Sequence, residues 1–219
     1  MSIQINVPDH ILLEDDYILV MNKPSSLMVE PDRNGHPNLL HQVSKYIKAS
    51  IKKNQEVYAQ HIHRLDRPVS GIVLFAKQKA VLKNLSEQFA ERKVKKYYQA
   101  LTANMPGQME GKLEHWHIKE KKKAIIRNEH IPGTEKVVLF YRVEALAAGR
   151  FLWNIELHTG KYHQIRAQLA FSGCPVVGDH TYGSEIAYKP DSIMMHASKL
   201  VFFHPVSHEE ILVEVKAPW

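Results

Sequence analysis

Residues 61–71, HIHRLDRPVSG, gather charge around a single carboxylate. Asp66 lies between Arg64 and Arg67, and a proline and a glycine mark a turn after it. An arginine is charged at every physiological pH and can hold a carboxylate through two parallel hydrogen bonds. The segment can therefore present an ionised nucleophile or base in a fixed position. The alternative, which this segment alone favours, is a turn aspartate bonded to its own backbone beside surface arginines.

The composition predicts a globular protein with an anionic partner. Of its 219 residues, 44% are apolar and 24% are charged, which predicts one domain over residues 1–219, with two sub-lobes. Lysine and arginine number 29 against 23 acidic residues, a net charge of +6, and this balance favours a partner such as nucleic acid. We expect a monomer.

The single cysteine, Cys174, excludes an internal disulfide and fits a reducing cytoplasm. No stretch approaches the apolar length of a membrane span, and the first residues lack the features of a secretory signal. His61 and His63, like His115 and His117, are close in sequence, but no cysteine or carboxylate stands at a zinc-ligand spacing beside them. We therefore expect a cytoplasmic protein without a metal site.

The apolar spacing predicts an α+β fold that contains a large mixed, mainly antiparallel sheet. The predicted strands are two within residues 11–24, one each at 71–77 and 95–102, at least three within 111–158, and a final hairpin within 194–218. Helices are predicted at residues 38–53, 79–94 and 161–173. These elements surround the segment with Asp66 and must position it.

Six segments, taken in order, resemble the RluA-type family of RNA pseudouridine synthases. HRLDRPVSGIVLFAK is similar to the family signature H-R-L-D-x-x-T-S-G with its following apolar strand. The other matching segments are NKPSSLMV, VKKYYQAL, ELHTGKYHQIRAQLA, PVVGDHTYG and MMHASKLVFFHP, which together extend from about residue 17 to the C-terminus. One short motif is weak evidence, whereas six in the family's order form a specific pattern.

The resemblance implies the pseudouridine synthase fold, with an active-site cleft between its two lobes, and an isomerase that needs no cofactor. Asp66 matches the catalytic aspartate, Tyr98 the tyrosine expected to stack on the target base, and Arg166 the arginine that pairs with the aspartate. Tyr97 and Tyr98 face opposite sides of a strand, and the neighbouring family residues select Tyr98. Attack on the sugar, addition to the base and proton abstraction all remain open roles for the aspartate.

The implied partner is transfer RNA, ribosomal RNA or both, and several basic side chains are expected to contact it. Arg64 is either a wedge or phosphate contact in the flipped state or a structural partner of its loop, with equal weight. Lys23 is a phosphate contact or a solvated side chain. Lys121 and Lys122 belong to a basic hairpin face expected to bind the RNA backbone. The remaining expected contacts are Arg67, Lys96, His163 and Gln164.

Four positions depart from the family pattern. Val69 replaces a threonine, Ser26 a glycine, Lys161 an arginine and Gln168 a histidine. None of the three expected catalytic residues is lost, so activity is expected while substrate detail is left open. About fifteen residues precede the first motif, which predicts a compact member without an N-terminal RNA-binding module.

Three other functions are alternatives to this one. An RNA-binding factor without catalysis would not require Asp66, Tyr98 and Arg166. A phosphotransferase, suggested by the letters HRLD, lacks a glycine-rich phosphate loop and a D-F-G segment. A glycosidase needs a second catalytic carboxylate, and the nearest one, Asp179, stands in a turn that suggests a structural role.

Overall fold

The computed structural model describes residues 3–33, 35–50 and 57–219. The chain forms two compact units, of which the first contains Met1–Val94 and Ser198–Lys216 and the second contains Lys95–Ala197 and Ala217–Trp219. Asp66 belongs to the first unit, whereas Tyr98 and Arg166 belong to the second.

The described residues form three α-helices and eleven strands, with three short 3-10 helices between them. In chain order these are β1 (Ile11–Glu14), β2 (Ile18–Lys23), α1 (Leu39–Ser50), β3 (Gln60–His61), β4 (Ser70–Ala76), α2 (Lys79–Ala90), β5 (Lys95–Thr102), β6 (Glu110–Glu120), β7 (Lys123–Arg127), β8 (Glu135–Leu146), β9 (Arg150–Leu157), α3 (Gln164–Phe171), β10 (Met195–Phe203) and β11 (Glu210–Glu214). Among the described residues, none of the helices has the length and apolar character that crossing a membrane requires. The predicted α+β class is confirmed.

In the first unit, β2 lies between β1 and β4 and pairs with both in antiparallel register. Every residue of β4 is buried, as its continuous apolar run predicts for a strand covered on both faces. Val81 and Leu85 of α2 pack against β2 and β4, and β10 and β11 complete the same apolar cluster. This core supports the two loops that leave β2 and enter β4.

The second unit contains the strand order β5-β9-β8-β6-β7, and its neighbouring strands are antiparallel. The prediction of at least three strands within residues 111–158 is confirmed, and the structure has four. The additional strand arises because the chain reverses at Lys121 and Lys122 and divides the segment into β6 and β7. Ala167 of α3 packs against buried residues of β7 and β8.

All three helices differ at their ends from the prediction, and α2 ends at Ala90 rather than at Val94. For α1, the side-chain oxygen of Asn38 accepts a hydrogen bond from the backbone N–H of His41 (2.9 Å), as an N-cap does. Residues 51–53 of that predicted helix lie outside the described residues. Helix α3 begins at Gln164 rather than Lys161, because His163 has a left-handed backbone (φ 50°) that a helix cannot include.

Ser26, which stands where the family pattern has glycine, also has a left-handed backbone (φ 67°). Its carbonyl accepts a hydrogen bond from the Nε of Arg67 (3.3 Å), so this conformation contributes to the position of the loop that contains Asp66. A residue with a Cβ loses about 1–2 kcal/mol in this region, and glycine avoids that loss.

We expect Ser26→Gly to raise the free energy of unfolding by about 0.5–1 kcal/mol, because the relief of strain exceeds the added freedom of the unfolded chain. Urea unfolding, followed by circular dichroism, measures the shift in midpoint. Ser25→Gly is the matched control, since Ser25 has an ordinary φ and the same change there should lower the midpoint. A lower midpoint for Ser26→Gly would contradict the strain argument.

Candidate active site

Asp66 lies in the loop between β3 and β4 and is half-buried. The backbone N–H of Val69 donates to the carbonyl of Asp66 (3.0 Å) and closes a turn around Arg67 and Pro68. Leu65 and Val69 on either side are buried. The loop is thus fixed by its own turn and by two apolar anchors, and Val69 fills the core where the family pattern has a hydroxyl.

Lys23, at the end of β2, is completely buried. Its ammonium donates hydrogen bonds to the carbonyls of Pro24 (3.0 Å), Leu27 (2.7 Å) and Arg67 (3.3 Å). The prediction of a solvated lysine is therefore wrong, and an ammonium enclosed in this way is not exposed to an RNA phosphate. Lys23 instead joins the loop after β2 to the residue that follows Asp66.

Burial lowers the pKa of Lys23 to about 7, and the negative charge of Asp66 acts in the opposite direction. Burial has the larger effect because an ammonium loses its hydration when it is enclosed by protein. At neutral pH, Lys23 is therefore only partly in its positively charged form, which interacts with the charge of Asp66.

The two arginines beside Asp66 have other partners in the first unit. Arg64 forms an ion pair with Glu30. Among the described residues, Glu30 is the only carboxylate that Arg64 contacts. Arg67 donates to the carbonyl of Ser26. Arg64 was one candidate to hold Asp66, and the structure instead pairs its side chain with Glu30. No sequence pattern indicates this pair, since its members lie 34 residues apart.

In the second unit, Arg166 of α3 holds the carboxylate of Asp179 through two hydrogen bonds. Nε donates to Oδ2 (2.6 Å) and one terminal nitrogen donates to Oδ1 (2.9 Å). Both side chains are almost inaccessible to solvent, at 5% and 1% exposure. Asp179 thus has the structural setting that its turn suggested. The expected pairing of Arg166 with Asp66 stays a prediction.

Gln164, predicted to contact RNA, is instead buried in a chain of polar side chains. Its amide oxygen accepts from the hydroxyl of Thr159 (2.9 Å), and its amide nitrogen donates to Gln168 (2.9 Å). Gln168 in turn donates to the carbonyl of Leu113 (3.2 Å) and contacts Nδ1 of His115 (3.0 Å). Because these contacts use the amide of Gln164, its prediction as an RNA contact is wrong. Gln168, a departure from the family pattern, links α3 to β6.

His163 belongs to a group of aromatic side chains at the start of α3. Its ring stacks on Tyr162 at 3.8 Å between centroids, and its Nδ1 lies 3.0 Å from the hydroxyl of Tyr182. The ammonium of Lys119 lies 4.5 Å from the centre of the Tyr162 ring. Basic and aromatic side chains therefore adjoin in this part of the second unit, and the prediction that His163 contacts RNA remains untested.

Tyr98 on β5 is buried, and Tyr97 faces the other side of the strand. The strand pairs with β9, where Tyr98 is opposite Ile155. The ammonium of Lys96 lies close to Gly160, 3.4 Å from the position that a Cβ atom would occupy at this glycine. The roles of Tyr98 and Lys96 stay predictions.

Lys121 and Lys122 form the exposed tip of the β6–β7 hairpin. The carbonyl of Lys122 accepts a hydrogen bond from the hydroxyl of Tyr162 (3.2 Å), which fixes the tip against the segment before α3. Both ammonium groups extend from this tip, and their predicted contact with RNA remains untested.

Among residues 3–33, 35–50 and 57–219, no three metal-ligating side chains converge on a point.

Comparison with known sequences identifies the family to which this chain is similar. A family model described as RNA pseudouridylate synthase matches residues 17–171. The chain is 31% identical over 201 residues to the dual-specificity RNA pseudouridine synthase RluA of Escherichia coli (strain K12), covering 89% of this chain and 87% of that protein. It is 30% identical over 226 residues to an uncharacterized RNA pseudouridine synthase of Aquifex aeolicus (strain VF5), covering 97% and 71%.

Two solved structures share the fold. Human RNA pseudouridylate synthase domain containing 4 matches with a TM-score of 0.80 at 22% identity, over 97% of this chain and 90% of that one. Human RNA pseudouridylate synthase domain containing 1 matches with a TM-score of 0.77 at 24% identity, over 95% and 83%. The predicted pseudouridine synthase fold is confirmed.

The lowered pKa of Lys23 predicts how stability depends on pH. Between about pH 7 and the ordinary lysine value of 10.5, the unfolded chain holds a proton that folded Lys23 has released. Raising the pH through this window therefore stabilises the fold, by at most about 1.4 kcal/mol per pH unit. Below pH 7 both states are protonated and the contribution is constant.

Urea unfolding of the wild type and Lys23→Met from pH 6 to pH 10 isolates this contribution. The wild type should gain stability relative to the variant as the pH rises above 7. Lys77→Met is the matched control, because Lys77 is a partly buried lysine that bonds to Glu14. A difference between wild type and Lys23→Met that does not change with pH would show that Lys23 keeps an ordinary pKa.

Asp179→Asn should lower the free energy of unfolding by about 3 kcal/mol. The substitution removes the negative charge that accepts two hydrogen bonds from Arg166, and it leaves the buried guanidinium without that compensating charge. Thermal or urea unfolding measures the loss. Glu110→Gln provides the comparison, because its pair with Arg142 is largely exposed and should contribute below about 1 kcal/mol. Equal losses for the two variants would contradict a structural role for the Arg166–Asp179 pair.

Proposed function

This chain belongs to the RNA pseudouridylate synthase family, and from that premise we propose that it isomerises specific uridines in structured RNA through Asp66. The family assignment makes the protein an RNA pseudouridine synthase, an isomerase. The identity of the aspartate, the exposure of the base and the class of RNA are parts of the proposal.

The reaction breaks the bond between uracil N1 and the ribose, turns the base, and joins C5 of the ring to the same sugar carbon. The proton leaves C5 and one is added at N1, so the atoms balance and no oxidant or reductant takes part. An ionised carboxylate near the glycosidic bond serves in each of three ways: attack on the sugar, addition to the base, or removal of the C5 proton. The proposal holds for all three.

The setting of Asp66 is the observation that carries the proposal. Asp66, the aspartate of the family signature, lies in a loop that is closed by the hydrogen bond from the N–H of Val69. Buried Lys23 holds the next carbonyl, that of Arg67. A carboxylate in such a loop keeps its position while its side chain is still partly exposed to a substrate. Preorganised positioning of this kind contributes to catalysis because the reacting group does not have to be ordered during the reaction.

Tyr98 and Arg166 are proposed to act in the same reaction. The tyrosine ring stacks on the uracil, and stacking of this kind contributes about 1–3 kcal/mol per base. Arg166 supplies a permanent positive charge, and its guanidinium is oriented by Asp179. Asp179 is accordingly a positioning residue in this proposal.

The target uridine is proposed to leave its stack before it reacts, because its glycosidic bond is enclosed within a paired or stacked RNA. Flipping costs a few kcal/mol, which stacking and contacts to the RNA backbone offset. Arg64, Arg67, Lys96 and the hairpin lysines are proposed to supply such contacts. We propose transfer RNA, ribosomal RNA or both as substrate, and a monomer in the cytoplasm as the working form.

The first test is a pseudouridine map of total RNA from source cells that lack the gene, complemented with wild type or Asp66→Ala. We expect at least one site to disappear in the deletion, return with the wild type, and stay absent with the variant. Purified Asp66→Asn should lose detectable activity, by at least ~10³-fold, without added cofactor or metal in either sample.

Asp16→Asn is the matched control, since Asp16 is an exposed acidic residue of the same unit. Circular dichroism and RNA binding should be close to wild type for both variants. If Asp66→Ala restores the lost site, Asp66 is not the catalytic residue. If no site changes in the deletion, an RNA-binding factor that keeps the fold becomes the better explanation.

A further inference from the structure

The Arg64–Glu30 ion pair lies at the exposed side of the loop that contains Asp66. Arg64 precedes Asp66 by two residues, and its side chain is 55% exposed, while that of Glu30 is 39% exposed. One carboxylate oxygen of Glu30 bonds to the guanidinium, and the other lies 3.7 Å from Nε2 of His61. The pair is accessible to a large partner from solvent.

The backbones on both sides of this pair are fixed. Val29, next to Glu30, is buried, and its carbonyl accepts a hydrogen bond from the N–H of Leu40 at the start of α1 (3.0 Å). On the other side, the N–H of Ile62 donates to the carbonyl of Leu74 in β4 (2.9 Å). The carboxylate is therefore presented to Arg64 from an ordered position, which lowers the entropy lost when an exposed ion pair forms.

Within the described part of the chain, the basic groups paired with Glu30 are Arg64 and His61, and Arg64 is the one that is charged at neutral pH. Burial lowers the pKa of His61, with Glu30 and Arg64 acting on it in opposite directions. The lowered pKa favours the neutral form of His61 at neutral pH. The interaction of Glu30 with Arg64 does not depend on a second positive group.

A phosphate and a carboxylate bind a guanidinium in the same way, through parallel N–H···O hydrogen bonds. A carboxylate that already occupies Arg64 therefore competes with any RNA phosphate that approaches it. The exchange replaces one ion pair by another, so a poorly placed phosphate gains little from it. An RNA whose other groups also contact the protein displaces Glu30 with a net gain in binding free energy.

We propose that Glu30 is a specificity-determining residue, which occupies Arg64 in the RNA-free protein and gives it up to a phosphate of a correctly positioned RNA. This inference rests on the proposed function, in which Arg64 contacts RNA. Glu30 lowers affinity by the same factor for every RNA that binds Arg64, so at a given RNA concentration the RNA that makes few other contacts loses the most occupancy.

The test is a double-mutant cycle with Glu30→Gln, Arg64→Gln and the double variant. The binding probe is a synthetic RNA that contains no uridine, because such an RNA cannot be a substrate. At ~0.1 M salt, Glu30→Gln should bind this probe about two- to fivefold more tightly than wild type, the size of effect expected from an exposed ion pair. Its affinity should also fall more steeply with salt, by about one unit in the log–log slope.

Arg64→Gln should bind the probe more weakly than wild type, and the double variant should match Arg64→Gln, because Glu30 acts through Arg64. Glu91→Gln is the matched control, since it removes the same charge from another exposed ion pair of the first unit, with Lys93. Glu91→Gln should tighten binding less than Glu30→Gln does. Pseudouridine mapping of total RNA should show that Glu30→Gln modifies uridines that the wild type leaves unmodified.

Three results would overturn the inference: unchanged or weaker binding by Glu30→Gln, an equal gain from Glu91→Gln, or a gain that persists in the double variant. The first would mean that Glu30 supports Arg64 in RNA binding, and the other two that only net charge is measured. Failure of the proposed function has a different signature, since wild-type protein would then form no pseudouridine in any RNA, whatever the outcome of the binding cycle.

Discussion

An ammonium group without access to water must find its hydrogen bonds within the protein, and Lys23 finds three in backbone carbonyls. Two of these belong to the loop after β2, and the third belongs to Arg67, beside Asp66. The loop with the candidate catalytic carboxylate is therefore bound to the most buried part of the first unit. Enclosure is unfavourable for the charged form, as the lowered pKa of Lys23 reflects, so this anchor is retained at a cost in stability.

The second unit fixes its candidate residue by a different physical solution. Arg166 remains charged in its buried position, and the bidentate contact with Asp179 compensates that charge and sets the plane of the guanidinium. The polar chain through Gln164 and Gln168 satisfies the neutral groups of the same helix. A titratable amine and a permanent guanidinium thus serve comparable positioning tasks, and only the first makes stability depend on pH near neutrality.

The departures from the family pattern have local explanations at each position. Ser26 adopts the left-handed backbone that glycine adopts more readily, and Val69 is buried without needing a hydroxyl partner. Lys161 forms an exposed ion pair with Glu135. Gln168 replaces histidine with an amide that donates to the carbonyl of Leu113. None of these four positions changes Asp66, Tyr98 or Arg166.

The sequence by itself determined the elements and the residues of interest. Period-two and helical spacing located nearly every strand and helix, because local burial patterns follow from backbone geometry, and ordered motifs identified the family and Asp66. Sequence did not determine the partners of the charged groups. Arg64 pairs with Glu30, Arg166 with Asp179, and Lys23 with three carbonyls, and each choice depends on which distant segments the fold brings within hydrogen-bond distance. Burial likewise decided that Gln164 and Lys23 face the interior, since only the packed structure determines which polar side chains lose their water.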